Sequence, residues 1–180
     1  MGRRRVDTVK LIDRCLSMFE EARKSGNRFS VSEVAGRFSQ GRGKGAERGR
    51  KYHRKILQLD PYPAAYEEVW ACPLPLAWRF RFGWLYGVAD QVAFVHGIPV
   101  RVIEYKSYVG IKRSEEVQAS LYGLLTMLCF SVRPQVYLYG DGRLRPLPDW
   151  EITALVALSK VKEGGERRIK RVPKEFATPI

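Results

Sequence analysis

The chain has few cysteines and no long apolar stretch. Its three cysteines, Cys15, Cys72 and Cys129, are scattered and contain no Cys-x-x-Cys pair. This argues against a disulfide framework or a local zinc knuckle and predicts three small buried residues. The apolar stretch 121–132 is too short to span a bilayer, and the sequence 1–5, Met-Gly-Arg-Arg-Arg, lacks the apolar core of a signal peptide. We therefore expect a cytoplasmic protein.

Acidic residues are also in the minority. The 180 residues include 32 Lys and Arg against 19 Asp and Glu, a formal net charge of +13. This excess favours a polyanionic partner, with nucleic acid first and an anionic membrane surface second. The length is that of one ordinary domain, able to bury roughly 70% of its unfolded surface without disulfide or metal crosslinks.

The N-terminal part, 1–40, is predicted to be helical. Apolar residues at helical spacing indicate a helix from Thr8 to Lys24, which the sequence Ser-Gly-Asn at 25–27 ends. Ser30 and Glu33 have the spacing of a capping box and predict a second, short helix. A core over 41–162 and a basic C-terminal tail over 163–180 complete what we expect to be one compact domain.

A strongly basic segment opens that core. A glycine-rich loop precedes a predicted helix over 46–59, which Asp60-Pro61 ends. Gly49 and His53 lie at i and i+4, on the same face of this helix. A solvated basic surface with an exposed histidine is the alternative interpretation. The segment 41–55 has seven basic residues and one acidic residue, Glu47, an excess of six positive charges. The basic residues are Arg42, Lys44, Arg48, Arg50, Lys51, Arg54 and Lys55.

Two alternating stretches, 87–95 and 100–106, predict a β-hairpin with a turn at His96-Gly97. The second strand places Glu104 and Lys106 on one otherwise apolar face. Lys106 could instead be a surface lysine whose stem lies along the strand end.

The register of this hairpin decides whether two carboxylates meet. A three-residue loop, 96–98, pairs Val92 with Val102 and Asp90 with Glu104, whose Cβ atoms would then be about 4.5–5.5 Å apart. That arrangement suits one shared Mg²⁺ or Mn²⁺. A two-residue loop would pair Asp90 with Ile103 and separate the acids. The metal hypothesis therefore predicts the longer turn, with Gly97 in the left-handed conformation.

The remainder of the chain is predicted to be helix, hairpin, helix. Ser114 is predicted to cap a helix that ends near Phe130, with Gln118 and Tyr122 at i and i+4. A second hairpin is expected over 134–147, with its turn at 140–142, followed by a helix over 150–162. Tyr122 at helical spacing could equally be a core residue.

Four motifs follow one another in the chain: Gly49-x-x-x-His53, Gly87-x-x-Asp90, Glu104-x-Lys106 and Gln118-x-x-x-Tyr122. This set resembles the RecB-type nucleases of the PD-(D/E)xK superfamily. The short chain with its helical N-terminal part is similar to the CRISPR-associated adaptation exonucleases and their archaeal viral relatives. The resemblance implies an α/β, restriction-endonuclease-like fold, in which helices flank a mixed central sheet.

The resemblance also implies roles for individual residues. A metal would be held by His53, Asp90, Glu104 and the backbone carbonyl of Tyr105, with the Tyr105 side chain replaceable by another large apolar group. Asp90, Glu104 and Lys106 would be catalytic. The residues implied in substrate binding are Gln118, Tyr122, Arg48, Arg50, Lys51 and Arg54. No cysteine follows Cys129, so the iron–sulfur cluster of many adaptation nucleases is not expected.

The implied activity is that of a metal-dependent DNA nuclease, most simply an exonuclease on single-stranded DNA or DNA ends. Lys106 would orient the nucleophile or offset phosphate charge, while Mg²⁺ or Mn²⁺ would polarise the phosphate. Two alternatives remain at this point: a non-catalytic protein that binds DNA ends or serves as a scaffold, and a structure-specific endonuclease.

The basic helix generates a first prediction. If its groove neutralises about six phosphates of single-stranded DNA, the log–log plot of affinity against salt should have a slope of about −4. Fluorescence anisotropy of a labelled oligonucleotide across a salt series measures this slope. A nearly flat plot would contradict the assignment of the basic helix as the path of the substrate.

Overall fold

The protein is a mixed α/β structure in which helices flank a six-stranded sheet. The computed structural model describes residues 2–39, 60–106 and 112–169. The predicted basic helix over 46–59 lies outside these residues. In chain order the elements are α1 (Gly2–Lys24), β1 (Arg28–Ser30), α2 (Val31–Gly36), a 3₁₀ turn (Tyr62–Ala65), β2 (Val69–Phe80), β3 (Gly83–Val95), β4 (Ile98–Tyr105), α3 (Arg113–Phe130), β5 (Gln135–Gly140), β6 (Arg143–Pro146) and α4 (Trp150–Ile169).

Strand β3 organises the sheet. β2 pairs with it in antiparallel fashion along its whole length. On its other edge, β1 pairs in parallel with Trp84–Tyr86 and β4 pairs in antiparallel fashion from Gln91 to Val95. β5 then runs parallel to β4, and β6 runs antiparallel to β5. The sheet is therefore mixed, and the carboxyl ends of β4 and β5 lie side by side.

The N-terminal part is built into this sheet. The predicted capping box is confirmed, because the Ser30 hydroxyl accepts from the Glu33 N–H at 3.1 Å and the Ser30 N–H donates to the Glu33 carboxylate at 2.7 Å. The three residues before the helix form β1, a strand that alternation could not reveal because it is so short. Thr8 of α1 also donates to the Gly97 carbonyl at 3.1 Å. Residues 2–39 thus share one core with the rest.

Strand β2 is continuous, although the sequence places Pro73 and Pro75 within it. Among the described strands it pairs only with β3, and a proline that lacks an N–H is tolerated on such an edge. The register shifts by one residue between Cys72 and Leu74. The extra residue lies on β3, where Asp90 and Gln91 stand opposite the single residue Pro73, so β2 itself continues through both prolines.

The core lies between the sheet and the helices, and α3 is its main element. Gly123 lets α3 approach closely, since a Cβ there would lie 2.5 Å from Val136 Cγ2 and 3.0 Å from Trp150 Cε3. All three cysteines are buried, as predicted.

α3 begins at Arg113 after Lys112, so the assignment of Ser114 as its cap was wrong. The second hairpin is confirmed, and α4 continues to Ile169, into the predicted tail.

Within the described residues, no helix is long and apolar enough to cross a membrane.

Candidate active site

The turn of the central hairpin is shorter than predicted. Val95 pairs directly with Ile98, which leaves the two-residue turn His96-Gly97. Both turn residues have positive φ, 49° and 79°, as a type I′ turn requires. The left-handed conformation of Gly97 is thus confirmed, whereas the three-residue loop was wrong. A two-residue turn fits the right-handed twist of paired strands better than a loop of arbitrary length.

A β-bulge in β4 compensates for the short turn. Phe94 pairs with Pro99 but Ala93 pairs with Arg101, so Val100 is an extra residue on β4. From there the ladder follows the predicted register, with Val92 opposite Val102. Continued one pair beyond Gln91 and Ile103, this register places Asp90 opposite Glu104. The inserted residue therefore restores the opposition of the two acids that the short turn alone would have abolished.

Both carboxylates lie on the inner, helix-facing side of the sheet. Glu104 is 0% exposed and Asp90 is 4% exposed, beside the fully buried Val102 and Val92. The Tyr105 N–H donates to Asp90 Oδ2 at 2.9 Å and fixes that side chain across the strand pair. Charged side chains are almost never this deeply buried unless they are paired or bind a metal, so the position marks a candidate functional site.

Lys106 turns inward toward Glu104. Its ammonium lies 3.0 Å from Glu104 Oε1 and 3.2 Å from Gln118 Oε1, and its side chain is 13% exposed. The Gln118 Nε2 group donates to the same Glu104 oxygen at 2.5 Å. The predicted sharing of one face by Glu104 and Lys106 is confirmed. A lysine placed with its head in bulk water would not have these contacts, so the surface-lysine alternative fails.

Tyr122 supports the site from inside the core. Burial raises the pKa of its phenol well above the usual value, and the charges of Glu104 and Asp90 raise it further, so the hydroxyl remains protonated. The ring lies against Gly87, where a Cβ would be 2.8 Å from Tyr122 Oη and 2.9 Å from its ring. With 3% of its surface exposed, Tyr122 offers no face on which a base could stack. Tyr122 is thus a buried support of the site in this structure, and the substrate-binding role implied for it stays a prediction.

Tyr105 contributes more than its carbonyl. Its hydroxyl donates to Gln91 Oε1 at 2.5 Å, and its ring lies 5.3 Å from the ring of Tyr139. Another large apolar side chain would lose the first contact, contrary to our expectation. In an extended strand, the N–H and C=O of one residue project toward the same neighbouring strand. Since the Tyr105 N–H reaches Asp90, its carbonyl faces the same side as that carboxylate.

The donor set fits a hard divalent cation. Asp90, Glu104 and the Tyr105 carbonyl provide oxygen ligands, which Mg²⁺ and Mn²⁺ prefer. Within 2–39, 60–106 and 112–169, no group of three or more His, Cys, Asp or Glu side chains is placed to hold a metal. His53 lies outside these ranges, as do the basic substrate-binding candidates Arg48, Arg50, Lys51 and Arg54. Of the three side chains predicted as metal ligands, Asp90 and Glu104 are among the described residues, and their role as ligands stays a prediction.

Two features of the site were missed in the sequence. Gln91 holds the Tyr105 phenol, and the bulge at Val100 sets the register. In an alternating strand, Gln91 lies next to Asp90 and therefore on the opposite face. This position could have suggested that Gln91 binds the Tyr105 side chain on that face. The extra residue at Val100 has no compositional signature.

Comparisons of the chain with protein-family models, curated proteins and solved structures give no match. The functional assignment therefore depends on the geometry of the site.

The contact between Gly87 and Tyr122 generates a prediction. Gly87→Ala should destabilise the protein by about 1–3 kcal/mol, because the new methyl group overlaps the Tyr122 ring. In a Tyr122→Leu background the same substitution should cost less, with a coupling of about 0.5 kcal/mol or more. Urea denaturation of the two single variants and the double variant measures this.

Gly36→Ala is the matched control, since a Cβ at that position would have no atom within 4 Å, and it should change stability by less than about 0.5 kcal/mol. Additive effects of Gly87→Ala and Tyr122→Leu would show that the ring does not depend on the glycine.

Proposed function

We propose that the chain is a metal-dependent deoxyribonuclease of the RecB type within the PD-(D/E)xK superfamily. The observation that supports this best is the convergence of Asp90, Glu104, Lys106 and Gln118 at the carboxyl end of β4. Two buried carboxylates, a lysine on the same face and a glutamine from the next helix are groups from which a metal-dependent phosphodiesterase site can be built. The mixed sheet with flanking helices agrees with this proposal at the level of architecture.

The electrostatics of the cluster favour a cation. Among the described residues, the formal charges of Asp90, Glu104 and Lys106 sum to −1. Placing like charges opposite each other destabilises a strand pair, and burying them adds a desolvation penalty. A divalent ion held by the two carboxylates would offset both costs. An apolar pair at these positions would make a more stable hairpin. We therefore attribute the two acids to function.

Each residue has a distinct role in the proposed reaction. When bound, Mg²⁺ or Mn²⁺ supplies Lewis acidity toward the scissile phosphate and lowers the pKa of a water. Asp90 and Glu104 would hold the ion, and the Tyr105 N–H keeps Asp90 in position. Lys106 orients the attacking water and offsets phosphate charge. Gln118 touches both Glu104 and Lys106, so it fixes the distance between the ligand and the lysine.

DNA is the proposed substrate because of the net charge of +13 and the basic segment that opens the core. An exonuclease that acts on single strands or DNA ends is the most specific activity that we propose. A DNA-end-binding scaffold or a structure-specific endonuclease would be built on the same fold, and the assay below separates the three.

The test is cleavage of 5′- and 3′-labelled single-stranded and duplex DNA with Mn²⁺, Mg²⁺ or EDTA. Glu104→Gln and Lys106→Met should each reduce metal-dependent cutting by about 100-fold or more, a typical loss for an essential group. Glu21→Gln and Lys24→Met are matched controls, since both residues are exposed on α1, and they should cut like the wild type. The end from which labelled nucleotides are released gives the polarity.

Other outcomes have clear meanings. Tight DNA binding without cutting under any metal would replace the nuclease by the scaffold. Cutting of a circular single strand would indicate an endonuclease. Equal activity of Glu104→Gln and the wild type would remove this site from the reaction.

A further inference from the structure

The sheet has a second, outer face that points away from the carboxylates. Along β4 and β5 the burial alternates: Val102, Glu104, Val136 and Leu138 are buried beneath α3. The residues between them point to the opposite side and are half-buried or exposed. These outer-face residues are Arg101, Ile103, Tyr105, Gln135, Tyr137 and Tyr139.

Three of them form what we name the outer tyrosine cluster: Tyr105, Tyr137 and Tyr139. Tyr105 and Tyr139 pair across the parallel strands, with ring centroids 5.3 Å apart. Tyr139 is 38% exposed, and its neighbour on β6, Leu144, is 45% exposed. Tyr139 is therefore accessible, whereas Tyr105 and Tyr137 beside it are half-buried.

The rings of this cluster are held in place. The Tyr105 hydroxyl donates to Gln91, and the Tyr137 hydroxyl donates to Gln135 Oε1 at 3.0 Å. The Arg101 guanidinium lies 5.9 Å from the centroid of the Tyr137 ring. It brings a positive charge to the outer face of β4. Because the rings are already ordered, they lose little conformational entropy when a flat ligand stacks on them. The cation beside them favours a ligand that carries negative charge.

The cluster is continuous with the candidate active site. The Lys106 N–H donates to the Tyr139 carbonyl at 2.8 Å, so the backbone that carries the proposed catalytic lysine adjoins the exposed ring. The rings lie on the outer face of the sheet and the carboxylates lie on the inner face. Both groups are near the carboxyl ends of β4 and β5.

We propose that the outer tyrosine cluster binds unpaired bases of a single-stranded nucleic acid and leads the strand over this edge to the active site. Stacking on aromatic rings is tolerant of sequence and needs bases that a duplex keeps hidden. Arg101 supplies the charge complementarity to the phosphates. The destination of the strand rests on the nuclease proposed above, whereas base binding by the cluster does not.

The experiment measures binding of fluorescent oligo-dT and oligo-rU by anisotropy in EDTA, where no metal-dependent cutting occurs. Tyr139→Leu should weaken binding by about 5- to 100-fold, the range for loss of one stacked base. Tyr139→Phe should bind like the wild type, because the ring is kept. Tyr66→Leu is the matched control, since Tyr66 is 60% exposed and lies outside the cluster. A thermal melt of each variant confirms folding.

Equal affinity of Tyr139→Leu and the wild type would overturn the inference, as would a wild type that does not bind single strands. If light scattering shows a dimer that Tyr139→Leu dissociates without loss of oligonucleotide binding, the face is a protein interface instead. A wild type that binds through Tyr139 but never cuts would retain this inference and refute the nuclease. If the wild type cuts DNA and Tyr139→Leu changes neither binding nor cutting, the nuclease is retained and this inference is refuted. The dT and rU arms tell whether DNA or RNA is preferred.

Discussion

The site depends on one extra residue in β4. The two-residue turn at His96-Gly97 matches the twist of the strands, but by itself it would set Asp90 opposite Ile103. The bulge at Val100 shifts the register by one position, so that Val92 pairs with Val102 and Gln91 with Ile103. Continued by one pair, this register sets Asp90 opposite Glu104. Because side chains alternate between faces, a shift of one residue decides whether the acids meet at all. Bulges re-aim side chains in this way beside active sites.

Around the opposed acids, the other parts of the site act as supports. Tyr105 holds Asp90 through its backbone, while Gln118 and Lys106 hold Glu104 through their side chains. Tyr122 fills the space beneath them, and only the missing side chain of Gly87 lets its ring fit. These contacts hold both carboxylates in place, as the proposed metal site would need. The outer tyrosine cluster would add to it a preference for single strands.

Much of this arrangement could be predicted from alternation and spacing. The face shared by Glu104 and Lys106 and the i, i+4 placement of Gln118 and Tyr122 follow from the periods of strand and helix. The turn length could not be predicted, since His96-Gly97 is compatible with more than one loop and bulges leave no pattern in composition. β1 escaped notice because three residues are too few to alternate. Whether Tyr122 faces substrate or core depends on tertiary packing, which one helix does not reveal.

The central claim, that Asp90 and Glu104 form a divalent-metal site, is tested most directly by isothermal titration of Mn²⁺ into the protein without DNA. We expect a saturable site in the wild type that Asp90→Asn weakens by about tenfold or more, with Asp7→Asn, an exposed residue on α1, as the unaffected control. Equal Mn²⁺ binding by the wild type and Asp90→Asn, or no binding by either, would contradict the claim.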